Sequence, residues 1–85
     1  MRLLELGYKV YDATPKSITF EKIVDKDYEH HYIELNFDRN TALFYTIYNN
    51  SNREELEVST EVLEATLELL KSRKVLLDYA LQDNR

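Results

Sequence analysis

The chain has no cysteine and no tryptophan, and only one glycine and one proline among its 85 residues. Without cysteine it cannot form the disulfide bonds that small secreted domains usually need, so we expect a reducing compartment. It also has no apolar run long enough to span a bilayer and no basic, apolar leader at its start. These absences predict a cytoplasmic protein with no membrane association.

The scarcity of glycine also bears on chemistry. One glycine leaves little backbone freedom for an anion-binding loop, and no serine lies in a glycine-rich elbow. The neighbouring residues His30 and His31 would point to opposite faces of a strand, so they cannot share a metal ion. We therefore expect no enzyme activity, no catalytic residues, no cofactor and no metal site.

What the chain does have is enough apolar sequence for one small domain. Hydrophobic residues make up 44% and charged residues 32%, which is typical of a globular protein and too apolar for disorder. We expect a single domain over residues 1–85, without internal repeats. The formal net charge of −5 argues against binding a nucleic-acid backbone.

Two runs of alternating residues between Tyr28 and Tyr48 predict a β-hairpin. The polar break at residues 38–40 supplies its turn, because Asn40 tolerates the left-handed conformation needed at the end of a three-residue loop. This loop would pair Leu35 with Leu43 and place the odd-numbered residues on one buried face. That face includes His31, Ile33, Leu35, Phe37, Leu43, Tyr45 and Ile47.

The even-numbered face of the hairpin carries aromatic side chains that we expect to be exposed. We interpret them as a candidate protein interface, because a tyrosine buries a large ring and keeps a polar tip. The alternatives are base stacking, as in sheet-based RNA-binding domains, and cross-strand packing that only stabilises the sheet. The four candidates are Tyr28, Tyr32, Phe44 and Tyr48.

The first third of the chain predicts two more strands. Residues 2–6 read as a helical turn that ends at Gly7. Residues 8–13 and 18–24 are rich in β-branched and aromatic side chains, and Pro15 suits the tight turn between them. The alternation fails near the end of the second strand, which indicates a bulge.

A helix is predicted from Ser59 or Thr60, either of which can cap its N-terminus. No glycine or proline follows, so the helix is expected to run to about Leu81, a length of about 33 Å against about 26 Å for an eight-residue strand. The basic residues from Lys71 onward favour an earlier end or a bend. We expect Leu63, Leu67 and Leu70 to pack on the sheet.

The last two turns of such a helix would overhang the sheet and leave apolar side chains uncovered. These additional candidates for an interface are Leu76, Leu77, Tyr79 and Leu81. Residues 63, 67, 70, 74, 77 and 81 also follow the alternating steps of a zipper seam, although the same stripe would serve to face the sheet. We favour a homodimer.

Acidic residues concentrate in the second half of the chain. Residues 1–53 contain seven basic and eight acidic residues, whereas residues 54–85 contain four and eight. Glu61, Glu64 and Glu68 are expected on the solvated side of the helix. An inhibitor that presents this acidic helix to a basic partner is therefore an alternative function.

The chain resembles small uncharacterised proteins encoded by phages and prophages of Gram-positive bacteria. The resemblance lies in the order of Leu6-Gly7-Tyr8, several tyrosine-rich strands and a helix start at residues 58–63, over roughly residues 3–70. It implies several strands followed by one helix, a bacterial host cytoplasm and a role through binding. The tail from Lys71 departs from the pattern.

Together these patterns predict an α+β fold. An antiparallel sheet of about four strands would carry a long C-terminal helix on one face, with a short helical turn at the N-terminus. The predicted function is a non-catalytic, homodimeric protein-interaction module whose protein partner is unknown. Nucleic-acid binding through the tyrosine-rich face is the alternative beside the acidic inhibitor.

Overall fold

The computed structural model describes residues 1–49 and 51–72. Within them a five-stranded sheet has the order β1-β2-β3-β4-β5, and each strand runs antiparallel to its neighbours. The predicted α+β fold with an antiparallel sheet is confirmed, with one strand more than expected. The elements are α1 (Arg2–Glu5), β1 (Lys9–Ala13), β2 (Ser17–Asp25), β3 (Glu29–Asn36), β4 (Thr41–Tyr48), β5 (Arg53–Glu55) and α2 (Thr60–Lys71).

Most of the turns follow from their residues. Thr14 Oγ1 accepts a hydrogen bond from the backbone N–H of Ser17 at 3.0 Å, which closes the predicted turn around Pro15. Asn40 has a φ of 57° and Gly7 a φ of +96°, the left-handed conformations that these residue types tolerate best. The predicted irregularity in β2 lies between Ile23 and Asp25.

The predicted register of the β3–β4 hairpin is wrong by one residue. Asn36 pairs with Thr41 and Leu35 with Ala42, so the loop has four residues and not three. Phe37 lies in that loop, only 5% exposed, and its N–H donates to the carbonyl oxygen of Lys16 at 2.9 Å. Since Phe37 is held by the neighbouring turn, it is not available to pair with Thr41.

The one-residue shift exchanges the buried and exposed residues of β4 relative to the prediction and leaves those of β3 as predicted. Ile33 and Leu35 are fully buried, as predicted, and Phe44 packs against the same core. Leu43, which we expected to be buried, is 52% exposed. The core lies between the sheet and the two helices; its buried members are Leu3, Tyr8, Ile18, Phe20, Ile33, Leu35, Phe37, Val62 and Ala65.

Helix α2 begins at the predicted cap but is shorter than predicted. Ser59 Oγ accepts from the N–H of Val62 at 3.2 Å, and the helix has 12 residues, so the expected length of about 22 is wrong. The N–H of Ser72 donates to the carbonyl oxygens of Glu68 and Leu69 and closes the last turn, and the helix ends at Lys71, where the basic residues begin. No helix in the described ranges is long and apolar enough to cross a bilayer.

Candidate functional site

The face of the sheet turned away from α2, hereafter the open face, carries a row of interacting polar and aromatic side chains. Glu21, Tyr32 and Tyr45 lie side by side because they pair in register across β2, β3 and β4. The Tyr32 hydroxyl donates to Glu21 Oε2 at 2.8 Å. The Tyr32 and Tyr45 rings stack with centroids 5.3 Å apart, and Tyr11 meets Tyr32 edge-on at 5.4 Å. This row forms a second, smaller packed layer.

Glu21 and Tyr32 are each 7% exposed, although the described helices leave this face uncovered. The neighbouring rings exclude water from the pair. Burial, reinforced by the hydrogen bond to Glu21, raises the pKa of the Tyr32 hydroxyl, so it remains a proton donor at neutral pH. The buried Glu21 carboxylate is stabilised by the hydrogen bond that it accepts from Tyr32, because burying an unpaired charge is costly.

His30 completes the environment of Glu21. Its Nε2 lies 2.9 Å from the carbonyl oxygen of Lys26, and its Nδ1 lies 3.4 Å from Glu21 Oε2. The hydrogen bond to Lys26 is the main cause of a raised His30 pKa, and the carboxylates of Glu21 and Asp25 raise it further. Because both ring nitrogens face acceptors, His30 joins the turn before β3 to the sheet and offers no free nitrogen to a substrate.

Tyr45 is held from the other side by β5. The guanidinium carbon of Arg53 lies 4.2 Å from the centre of the Tyr45 ring, a cation–π contact. The Tyr45 hydroxyl donates to Glu34 Oε1 at 3.3 Å, and Arg53 lies 3.9 Å from the same oxygen. Burial raises the pKa of Tyr45, and the nearby Arg53 opposes this.

A surface cavity of about 340 Å³, hereafter the tyrosine cleft, opens beside this row. Of its three tyrosines, Tyr11 and Tyr28 are 56% and 53% exposed, whereas Tyr32 is buried. The Asp25 carboxylate accepts from the N–H of Asp27 at 3.1 Å and thereby shapes the turn on one side. The lining residues are Tyr11, Lys26, Asp27, Tyr28, His30, Tyr32, Ile47 and Asn49.

The four aromatic residues predicted to form one surface do not do so. Tyr28 and Tyr32 line the tyrosine cleft, but Phe44 packs against the core on the opposite face. Tyr48 lies on the same face of β4 as Phe44. Its ring centroid lies 5.4 Å from that of Tyr28 at the end of the sheet. The other predicted interface residues, Leu76, Leu77, Tyr79 and Leu81, lie outside the described residues.

Three residues that shape this site were missed from the sequence. Tyr11 is the extra residue of a bulge between Val10 and Asp12, which turns its ring toward Tyr32. The three-residue loop expected from the sequence places Tyr45 on the buried face, whereas its pairing with Tyr32 places it on the open face. The alternation of residues along β2 places Glu21 on the open face, opposite to Phe20. This alternation does not reveal that Glu21 is buried there.

Metal-binding side chains do not converge in groups of three or more anywhere in the described part of the chain. Searches against family models, curated proteins and solved structures found no match. The resemblance to phage proteins therefore remains a prediction, and the geometry of the open face is the basis for inferring function.

Proposed function

We propose that this protein is a non-catalytic interaction module of phage or prophage origin, which works as a homodimer and binds a partner protein at the tyrosine cleft. The observation that carries the proposal is the pair of half-exposed tyrosines, Tyr11 and Tyr28, that line a cavity of about 340 Å³. Exposed tyrosines beside a concave surface are typical of protein interfaces, where each buries a large ring at low entropic cost.

Hydrogen bonds within the chain hold the cleft residues in place without a partner. Glu21 holds Tyr32, and His30 ties the turn that carries Tyr28 to the sheet. A preformed site loses less conformational entropy on binding than a flexible one. Lys26, Asp27 and Asn49 at the rim offer donors and acceptors for the backbone of a bound segment.

The edges of the sheet are less suited to binding a partner strand. β5 is three residues long, charged and exposed, and β1 is interrupted by the bulge at Tyr11. Both features discourage the addition of another strand. The cleft is therefore the better site for a polypeptide.

Nucleic-acid binding has less support. Of the four rings expected to stack bases, Tyr32 is 7% exposed and Phe44 packs against the core. The cleft also combines Lys26 with Asp27, so its rim is not basic. For the acidic-inhibitor alternative, Glu61 is already paired with Arg2, which leaves fewer free carboxylates on α2.

The proposal is tested with a displayed peptide library selected against the full-length protein. We expect selected peptides to perturb the amide resonances of Tyr11, Tyr28 and Asn49 in an NMR titration. Tyr11→Ser with Tyr28→Ser should weaken binding at least about tenfold, as expected for the loss of two interface rings.

Leu43→Ser is the matched control, because Leu43 is also 52% exposed but lines a separate cavity. It should leave the affinity unchanged. Peptides that bind equally well to the double tyrosine variant, or a cleft that responds only to single-stranded oligonucleotides, would contradict the proposal.

A further inference from the structure

Helix α2 carries two apolar stripes, and only one of them faces the sheet. Val62, Ala65 and Thr66 are buried, and Thr66 satisfies its hydroxyl by donating to the carbonyl oxygen of Val62 at 2.8 Å. Leu63 is 48% and Leu67 is 52% exposed, so these leucines point away from the core. The expectation that both pack on the sheet is wrong, whereas Leu70 packs against the core as predicted.

The exposure of Leu63 and Leu67 bears on how the leucine spacing of α2 is interpreted. Residues 63, 67, 70, 74, 77 and 81 follow alternating steps of four and three, as in a zipper seam. The seam had a simpler explanation as the sheet-facing stripe, and its third member, Leu70, does pack against the core beside Val62, Ala65 and Thr66. Its first two members are instead left in contact with solvent.

We infer that the outer stripe of α2, formed by Leu63 and Leu67, is the contact between two copies of this chain, packed with their α2 helices antiparallel. The inference rests on the homodimeric form of the proposed function and not on the tyrosine cleft. A second copy suits this surface because an identical leucine pair is its apolar complement.

Charge sets the antiparallel direction. Glu64 and Lys71 flank the outer stripe, and neither forms an ion pair with another described residue. When two helices cross antiparallel near Leu67, Glu64 of each copy approaches Lys71 of the other. In a parallel pair, Glu64 of one copy and Lys71 of the other would lie about 10 Å apart along the helix axis, so the opposite charges would not meet.

The size of the contact has a consequence for affinity. Two leucines on a helix of 12 residues cover much less than the roughly 800 Å² per partner of a standard interface. The dimer is therefore expected to be weak and to depend on protein concentration.

Sedimentation velocity over a range of concentrations tests the contact. Leu63→Glu and Leu67→Glu should each shift the full-length protein to monomer while its circular dichroism stays unchanged, because both side chains are already half exposed. Leu43→Glu, at the same exposure on the open face, should leave the dimer intact. A wild-type protein that is monomeric throughout, or a dimer insensitive to both changes in α2, overturns the inference.

A charge exchange tests the direction. Glu64→Lys and Lys71→Glu should each weaken the dimer, and the double variant should restore it, since opposite charges again meet across the antiparallel pair. Failure of the double variant to recover overturns the antiparallel arrangement. Tyr11→Ser with Tyr28→Ser should leave dimerisation unchanged, so failure of the cleft and failure of the dimer are separate outcomes.

Discussion

The Tyr32 hydroxyl donates to the buried Glu21 carboxylate at 2.8 Å on the face of the sheet that α2 does not cover. Their pairing links β2 to β3 and holds Tyr32, which lines the tyrosine cleft. It also explains why a half-solvated sheet excludes water at this position, since Tyr11 and Tyr45 pack against the same ring.

Removing this hydroxyl should destabilise the fold. Tyr32→Phe keeps the stacked ring but takes a donor from a buried carboxylate, so we expect a loss of about 1.5–3 kcal/mol in the free energy of unfolding, measured by urea denaturation. Tyr45→Phe is the matched control, because its hydroxyl bonds the more exposed Glu34 at 3.3 Å. Equal losses for the two variants would contradict the role given to the buried pair.

The His30 contacts predict a dependence of stability on pH. The folded-state pKa of His30 is raised above 6.5, chiefly by the hydrogen bond to the Lys26 carbonyl, so protonation favours the folded state. This stabilisation is fully present below about pH 6.5 and is lost as the pH rises through the folded pKa.

Thermal melts of the wild type and His30→Gln measure this contribution. The difference in stability should be larger near pH 5.5 than near pH 8.5, a window that brackets the ordinary histidine pKa of about 6.5. An NMR titration of His30 should give a value above that. A difference that grows toward alkaline pH would mean that the neutral ring is the preferred form.

Neighbouring residues of β4 should respond oppositely to truncation. Phe44 packs against the core, so Phe44→Ala should cost at least about 2 kcal/mol, whereas Leu43→Ala should change stability by no more than about 0.5 kcal/mol. Urea denaturation of both variants provides the measurement. The reverse order would restore the register first expected from the sequence.

The start of α2 depends on its cap. Ser59→Ala removes the acceptor for the Val62 N–H and should cost about 1 kcal/mol, measured by thermal or urea unfolding. Ser59→Asp retains a capping oxygen and should recover most of the loss. If alanine and aspartate behave alike, the cap does not stabilise the helix.

Local chemistry made much of this fold predictable. The turn at Pro15, the left-handed Asn40 and the cap at Ser59 each follow from the conformations that those residue types favour. The strands β1 to β4 followed from β-branched and aromatic residues. The short strand β5 was missed because it has only charged residues and no alternation.

The register of the hairpin was not accessible from local pattern. A three-residue and a four-residue loop both suit Asn40, and the choice depends on the contact of Phe37 with Lys16 in a neighbouring turn. Similarly, the apolar residues of α2 cover a broad arc, and the sequence does not say which side of the arc meets the sheet. The location of the tyrosine cleft depends on the register and was therefore missed with it.

The most direct test of the face assignment is the pattern of cross-strand proton contacts between β3 and β4 in NMR spectra of the full-length protein. We expect nuclear Overhauser contacts that pair Ile33 with Phe44 and Tyr32 with Tyr45. Contacts that pair Leu35 with Leu43 and Ile33 with Tyr45 would contradict the register and the tyrosine cleft that depends on it.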